Sequence, residues 1–182
     1  MKIVAFAGSN SSTSINKKLV IYVCSYFKED EIEILDLNDY EMPLFSVDRE
    51  KKDGIPQLAF DFAKKIDNAD LLIISLAENN GAYSVAFKNI FDWISRISDR
   101  KAFGDKPMLL MATSTGERGG ASVLEIAQNR MPRSGGKVLQ TFSLPSFDKN
   151  FDEALGIKDE ALKKQLMEVI KEVKNNFVDH LS

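Results

Sequence analysis

The chain is nearly devoid of histidine and cysteine, on which many acid–base, nucleophilic and metal sites rely. Its 182 residues include one histidine, one cysteine and one tryptophan. His180 stands beside the C-terminus and reads as part of a fraying end rather than as a site. Without it, no Ser-His-Asp or Cys-His set can be assembled, and no group of ligating side chains shows metal-site spacing. Cys24 is alone, so no internal disulfide can form, which suits a reducing cytoplasm. It falls in a helical pattern, where it reads as a small core residue. No apolar run is long enough to cross a bilayer, and no basic start with an apolar stretch marks a secretory signal. Basic charge is not in excess either. Lys and Arg number 24 against 27 Asp and Glu, a net charge of −3, which argues against general nucleic-acid binding. Two phosphate-binding fingerprints are missing: G-x-G-x-x-G of the dinucleotide fold and G-x-x-x-x-G-K-[ST] of the P-loop. Repeats, low-complexity tracts and linkers are lacking too, so residues 1–182 read as one domain.

What is present is an alternation of strand and helix patterns. The apolar fraction of 44% and charged fraction of 28% are those of a globular protein. Buried or half-buried strands are expected over 2–7, 31–37, 70–76, 108–113 and 137–142, the third as the continuous apolar run DLLIISL of a central parallel strand. Helices are expected over 16–27, 57–68, 84–98, 119–131 and 159–177, each with apolar residues at helical spacing. The charged, proline-containing stretch 39–56 reads as a loop. Five strands with helices between them imply an α/β three-layer sandwich around a parallel sheet with right-handed crossovers. Without the dinucleotide fingerprint, the flavodoxin-like strand order 2-1-3-4-5 fits best. Ligands there bind beyond the C-terminal strand ends, where the order reverses.

Three loops should meet at that edge. Gly8-Ser9-Asn10-Ser11-Ser12-Thr13-Ser14-Ile15-Asn16 is rich in hydroxyls and runs from strand to helix. One such residue suffices for a helix cap. The surplus suits a phosphate, since the first amides of a helix lack partners and the helix dipole favours an anion. The second loop, Ala77 to Tyr83, is polar and holds Gly81, although it follows a fully apolar strand. The third, Thr113 to Gly120, joins hydroxyls to three glycines before a helix. Each alone would be a capped turn. Three at one sheet edge point to a shared ligand.

The loops carry a family resemblance. GSNSSTSIN is similar to G-S-x-R-x-x-S-x-N, and AENNGAYSVAFKNIFDW is similar to P-E-Y-N-x-S-x-P-x-x-L-K-N-x-x-D-W, matching at Glu78, Asn80, Lys88, Asn89, Asp92 and Trp93. STGERGG resembles S-x-P-G-x-x-G-G. These are signatures of the flavodoxin-like NAD(P)H-dependent FMN reductases, a family that includes quinone, azo-dye and chromate reductases. The resemblance implies FMN as cofactor and NAD(P)H as co-substrate. Hydride would pass from the nicotinamide through FMN to a quinone, azo dye, free flavin or similar small acceptor, with no catalytic side chain because the flavin carries the chemistry. It also implies that Ser9, Ser11, Ser14, Ile15 and Asn16 surround the phosphate. Glu78, Asn79, Asn80 and Gly81 would follow the ribityl chain and ring, and Ser114, Thr115 and Gly116 would approach the ring from the other side. A homodimer or homotetramer is the implied assembly.

The departures bear on affinity. Ser11 replaces an arginine suited to bidentate phosphate binding, which leaves NADH against NADPH open. Asn79 replaces a tyrosine, so an aromatic neighbour of the flavin is missing, and Tyr83 is a candidate substitute. Arg118 is a candidate for the nicotinamide cofactor's phosphates and equally a solvated surface arginine. Trp93 reads as a packed aromatic. Phe87, Phe91 and Trp93 widen the apolar arc of the 84–98 helix, which either a partner or a deep core would explain. An electron carrier or flavin-binding module with weakened affinity is the alternative to an enzyme.

Overall fold

A computed structural model describes residues 1–179, so the reading of His180 lies outside the described residues. The chain runs β1 (Lys2–Gly8), α1 (Ile15–Cys24), β2 (Glu31–Leu35), α2 (Val47–Asp53), α3 (Gln57–Asp67), β3 (Leu71–Leu76), β4 (Glu78–Asn79), β5 (Ala82–Tyr83), α4 (Val85–Ile94), β6 (Lys106–Thr113), α5 (Ala121–Arg130), β7 (Gly136–Leu144), α6 (Phe147–Asn150), β8 (Phe151–Asp152), β9 (Gly156–Ile157) and α7 (Glu160–Asp179). The main sheet is parallel with order β2-β1-β3-β6-β7. Counting only its own strands, that is the expected 2-1-3-4-5.

The period of two along each strand divides the core. Ile3, Ala5, Leu71, Ile73, Leu109 and Met111 face α1 and α7, meeting Leu19, Val20, Leu166 and Ile170. Val4, Phe6, Leu72, Ile74 and Leu110 face α3, α4 and α5, meeting Phe62, Ile66, Ile90, Val123 and Ala127. All six residues of β3 are buried, as a central parallel strand requires. Cys24 is in the first of these layers, and its burial pushes the thiol up to about 12, so it stays a neutral core residue.

Several boundaries differ from expectation for identifiable reasons. The second strand ends at Leu35 rather than 37, because Asp36 accepts the Asn38 N–H (2.9 Å) and opens a 3-10 turn over Leu37–Tyr40. The stretch 39–56 is not only loop, since it contains α2, capped by Ser46 Oγ and closed by Gly54 at φ 77°. None of α2's residues is buried, so it left no apolar periodicity to read. The first helix stops at Cys24 and the fourth at Ile94, both at serines that begin a turn. The fifth helix starts at Ala121 because Gly119 and Gly120 hold left-handed conformations (φ 58° and 76°).

The wide apolar arc of α4 is covered by the chain itself. Trp93 is 1% exposed, donates its indole N–H to the Pro43 carbonyl (2.7 Å) and meets Phe45 edge-on. Phe87 and Phe91 are buried, with Phe91 against Phe103. The arc therefore needs no partner to explain it. Asn89 fastens the same segment, donating to Met42 and Pro43 carbonyls and accepting the Phe45 N–H. The family-like residues of this helix thus hold the 41–45 loop, while Lys88 and Asp92 pair along the exposed side.

Phe62 anchors the α3 side of the core, fully buried and edge-on to both Phe6 (5.3 Å) and Tyr40 (4.9 Å). Phe62→Ala is expected to lower stability by about 3–5 kcal/mol through lost burial and a residual cavity. Urea unfolding followed by tryptophan fluorescence measures it; a loss under about 1 kcal/mol would show that the layer collapses freely.

Candidate cofactor site

The three loops do converge. A cleft of about 270 Å³ lies at the C-terminal edge of β1, β3 and β6. It is lined by Ser9, Ser11, Ser14, Ile15 and Asn16 of the first loop, Glu78 of the second, and Ser114 and Thr115 of the third. Thr13, Ala77 and Thr113 also line it and were not singled out from sequence. Thr13 belonged to the hydroxyl-rich loop. Thr113 opened the third loop and Ala77 the second, each within a segment already expected at this edge. Asn79, Asn80, Gly81 and Gly116 lie beside the cleft rather than in its lining.

The first loop curls around its own hydroxyls. Ser9 Oγ accepts the Ser11 N–H (3.2 Å), and Ser11 Oγ accepts the Thr13 N–H (3.3 Å). Ser14 caps α1 by accepting the Lys17 N–H (3.2 Å). The N–H groups of Ile15 and Asn16, at the first two helical positions, take no backbone partner among the described residues. Such amides at a helix N-terminus are donors for an anion.

Asn16 has a second task. Its side chain is 3% exposed and turned into the fold. Nδ2 donates to the Thr113 carbonyl (3.2 Å), while Oδ1 accepts the Thr113 N–H (3.1 Å) and the Ser75 hydroxyl (2.7 Å). One orientation of the amide satisfies all three. The side chain therefore braces α1 against β3 and β6, and its backbone N–H is left without a backbone partner in a first turn that lines the cleft.

The other loops are fastened similarly. Asn80 and Gly81 form the two-residue turn of the β4–β5 hairpin, both at positive φ (51° and 77°). An Asn-Gly pair between short extended segments is the sequence signal that would have revealed it. Glu78, on the first hairpin strand, turns its carboxylate to the Val123 N–H (2.9 Å) and so caps α5 from outside. That helix has a glycine at its N-cap and no capping side chain of its own. Ser84 donates to the Gly8 carbonyl (2.7 Å), joining the second loop to the end of β1. The third loop is held by the Gly116 carbonyl, which accepts the Ser146 N–H (2.9 Å), and by Thr113 Oγ1, which donates to the Leu144 carbonyl (2.7 Å). At Gly119 a Cβ would stand 2.8 Å from the Pro145 nitrogen.

Two candidate side chains stand outside the cleft lining. Tyr83 offers no open aromatic face to the cleft. Its ring packs on Phe87 (5.1 Å), its hydroxyl is buried without a partner, and burial pushes its pKa up to about 12. Arg118 is exposed and donates to Ser122 Oγ (3.1 Å), away from the cleft lining.

The cradle carries one carboxylate, that of Glu78, which is turned to the Val123 N–H. Among the described residues, no Lys or Arg lines the cleft. The two lysines of α1's first turn point elsewhere, Lys17 to Asp36 and Lys18 to Glu153. The bond to Lys17 holds the Asp36 carboxyl below its usual range. An anion here meets backbone N–H groups, hydroxyls and the α1 dipole. That set fits the terminal phosphate of a nucleotide, and the parallel sheet places it where flavodoxin-like proteins hold theirs.

Fold and cleft define a flavodoxin-like α/β protein with a phosphate cradle at the strand-order reversal. The chain belongs to the NADPH-dependent FMN reductase family, which it matches over residues 1–154, and it is an FMN-dependent NAD(P)H oxidoreductase. It is 28% identical to an NADPH:quinone oxidoreductase of Arabidopsis thaliana over 93% of this chain and 88% of that protein. It is 27% identical to the NADH:(hydroxy)cinnamate reductase subunit CrdA of Vibrio ruber, covering 94% of this chain and 85% of that one. Among solved structures, the flavoenzyme FerB, an NAD(P)H:(acceptor) oxidoreductase from Paracoccus denitrificans, superposes with a TM-score of 0.77 at 22% identity, over 98% of both chains.

Removing the Asn16 amide strands two backbone groups of Thr113. Asn16→Ala is expected to cost about 3 kcal/mol, since three buried hydrogen bonds are lost and their partners are left unpaired. Chemical denaturation tests this, and a cost below about 1 kcal/mol would show that water replaces the amide.

Proposed function

We propose that the chain reduces quinones with electrons from NAD(P)H, using FMN seated in the cleft at the ends of β1, β3 and β6. FMN, when bound, would supply the hydride and electron-transfer chemistry, and the chain's part is to bind and orient it. The net reaction converts NAD(P)H, a proton and a quinone into NAD(P)+ and the hydroquinone. In this reading the Ile15 and Asn16 N–H groups and the hydroxyls of Ser9, Ser11 and Ser14 hold the phosphate. Ser114, Thr115 and Gly116 border the ring on one side, and the hairpin at Asn79, Asn80 and Gly81 borders it on the other. The observation that carries the reading is the cluster of unspent donors at the strand-order reversal. The quinone and the cinnamate named for two relatives are both acceptor classes open to test here.

The assembly we propose is a homodimer or homotetramer, on family resemblance alone, and sedimentation showing only monomer would refute it. A cytoplasmic place fits the single buried thiol. Among the described residues, no helix is long and apolar enough to cross a membrane.

The cradle sets a quantitative expectation. With no cation in its lining, FMN affinity should change less than about threefold between ~0.02 and ~0.5 M NaCl. Ser11→Arg should tighten binding at low salt and make it salt-dependent. Flavin-fluorescence titration of the flavin-free protein measures both. No FMN binding at high micromolar concentration would overturn the assignment of the cleft.

A further inference from the structure

Glu78 is the single ionisable side chain in the lining of the cofactor cleft, among the described residues. It is half-buried, and its Oε2 accepts the Val123 N–H at the third position of α5 (2.9 Å). Its other carboxylate oxygen takes no hydrogen bond from the protein among the described residues. No lysine or arginine pairs with it there either. The two arginines on the neighbouring elements are turned to other groups. Arg118, before α5, donates to Ser122 Oγ, and Arg130, at the far end of that helix, lies over the Phe91 ring.

Capping alone leaves the charge without a further use. Gly120 stands at the N-cap of α5 and has no side chain to accept a first-turn N–H, so the hairpin supplies the acceptor. The helix dipole favours a carboxylate at that end, yet a carboxamide oxygen would accept the same N–H. A half-buried charge with no cation beside it also loses hydration, which a neutral acceptor would lose less of. The charge does have a second place to act, because the same side chain borders the cofactor cleft. Near neutral pH, reduction of a flavin takes up two electrons and one proton and so leaves the ring with one more negative charge. Like charges in a partly desolvated cleft repel, which disfavours the more negative form.

We infer that Glu78 sets the redox poise of the bound flavin: its carboxylate weakens the hold on reduced FMN relative to oxidised FMN and so lowers the potential. This rests on the cofactor reading above and deepens it by naming the residue that tunes the flavin. The bond to Val123 holds the charge in place, since it fixes a side chain carried on a strand of only two residues. A lower potential makes the reduced flavin a stronger donor, which suits a protein that passes electrons on.

Redox titration of the FMN-loaded protein against a reference dye, with fluorescence titration of oxidised FMN, reads the ratio of the two affinities. Glu78→Gln keeps an acceptor for the Val123 N–H and removes the charge. It is expected to tighten reduced FMN about tenfold relative to oxidised FMN, a rise in potential of about 30 mV for two electrons. Glu78→Ala removes both charge and cap. Its potential should rise as in Glu78→Gln, and only in this variant should the amides of the first turn of α5 exchange faster by NMR. An unchanged potential in Glu78→Gln, with FMN bound, overturns the tuning role and leaves the cofactor reading standing. A rise confined to Glu78→Ala assigns the effect to the lost cap and overturns it likewise. Failure of the wild-type chain to bind FMN overturns the cofactor reading and this inference with it.

Discussion

The arrangement depends on one buried amide. Asn16 sits in the first turn of α1 and reaches beneath the loops to the ends of β3 and β6. A strand end at the reversal point has backbone groups that no neighbouring strand takes up, and leaving them unpaired in a dry site is costly. Asn16 satisfies both groups of Thr113 at once and adds Ser75. In doing so it fixes where the α1 N-terminus stands relative to the sheet. The amides of Ile15 and Asn16 are then aimed at the cleft by a contact that no ligand supplies.

The same economy runs through the other loops. Each is tied by a bond from a residue outside it: Ser84 to Gly8, Glu78 to the α5 N-terminus, and Gly116 to Ser146. These ties are local dipoles and one carboxylate, and none brings a cation into the cleft. The proposed phosphate site is therefore preorganised but holds no cation. Preorganisation supplies affinity by removing the cost of ordering donors, whereas a charged clamp would add attraction that salt weakens. The aromatic neighbour usual in the family is missing at Asn79, and Tyr83 is committed to the core against Phe87. In the proposed seating the flavin's polar end meets hydrogen-bond donors, and no aromatic side chain lines the cleft among the described residues.

Much of the organisation was legible in the chain. The period of two in KIVAFA and the unbroken apolar run of DLLIISL specify strands, and their order among helices specifies a parallel sheet. The flavodoxin-like order followed from the count of strands and the missing glycine fingerprint, and the structure has that order. The three loops could be named because a C-terminal strand edge is where such sheets bind ligands. What escaped was low in periodic signal. The exposed helix α2 buries nothing, so its pattern is that of a loop. The Asn80-Gly81 hairpin was visible as a dipeptide but lay inside a segment read only as a polar loop.

Sequence alone determined the sheet, the hydroxyl-rich edge and the family, because these follow from local periodicity and from residue types at fixed spacing. Tertiary structure alone decided which member of each motif faces a ligand and which faces the protein. Asn16 and Glu78 are motif residues in sequence, yet their side chains serve Thr113 and the α5 amides. The breadth of α4's apolar arc is answered from within by Phe45 and Phe103. The physical reason is the same throughout. A polar or aromatic side chain takes the partner that packing brings within reach, and that partner can be far along the chain, as with Trp93 and Pro43 at a separation of 50 and Asn16 and Thr113 at 97.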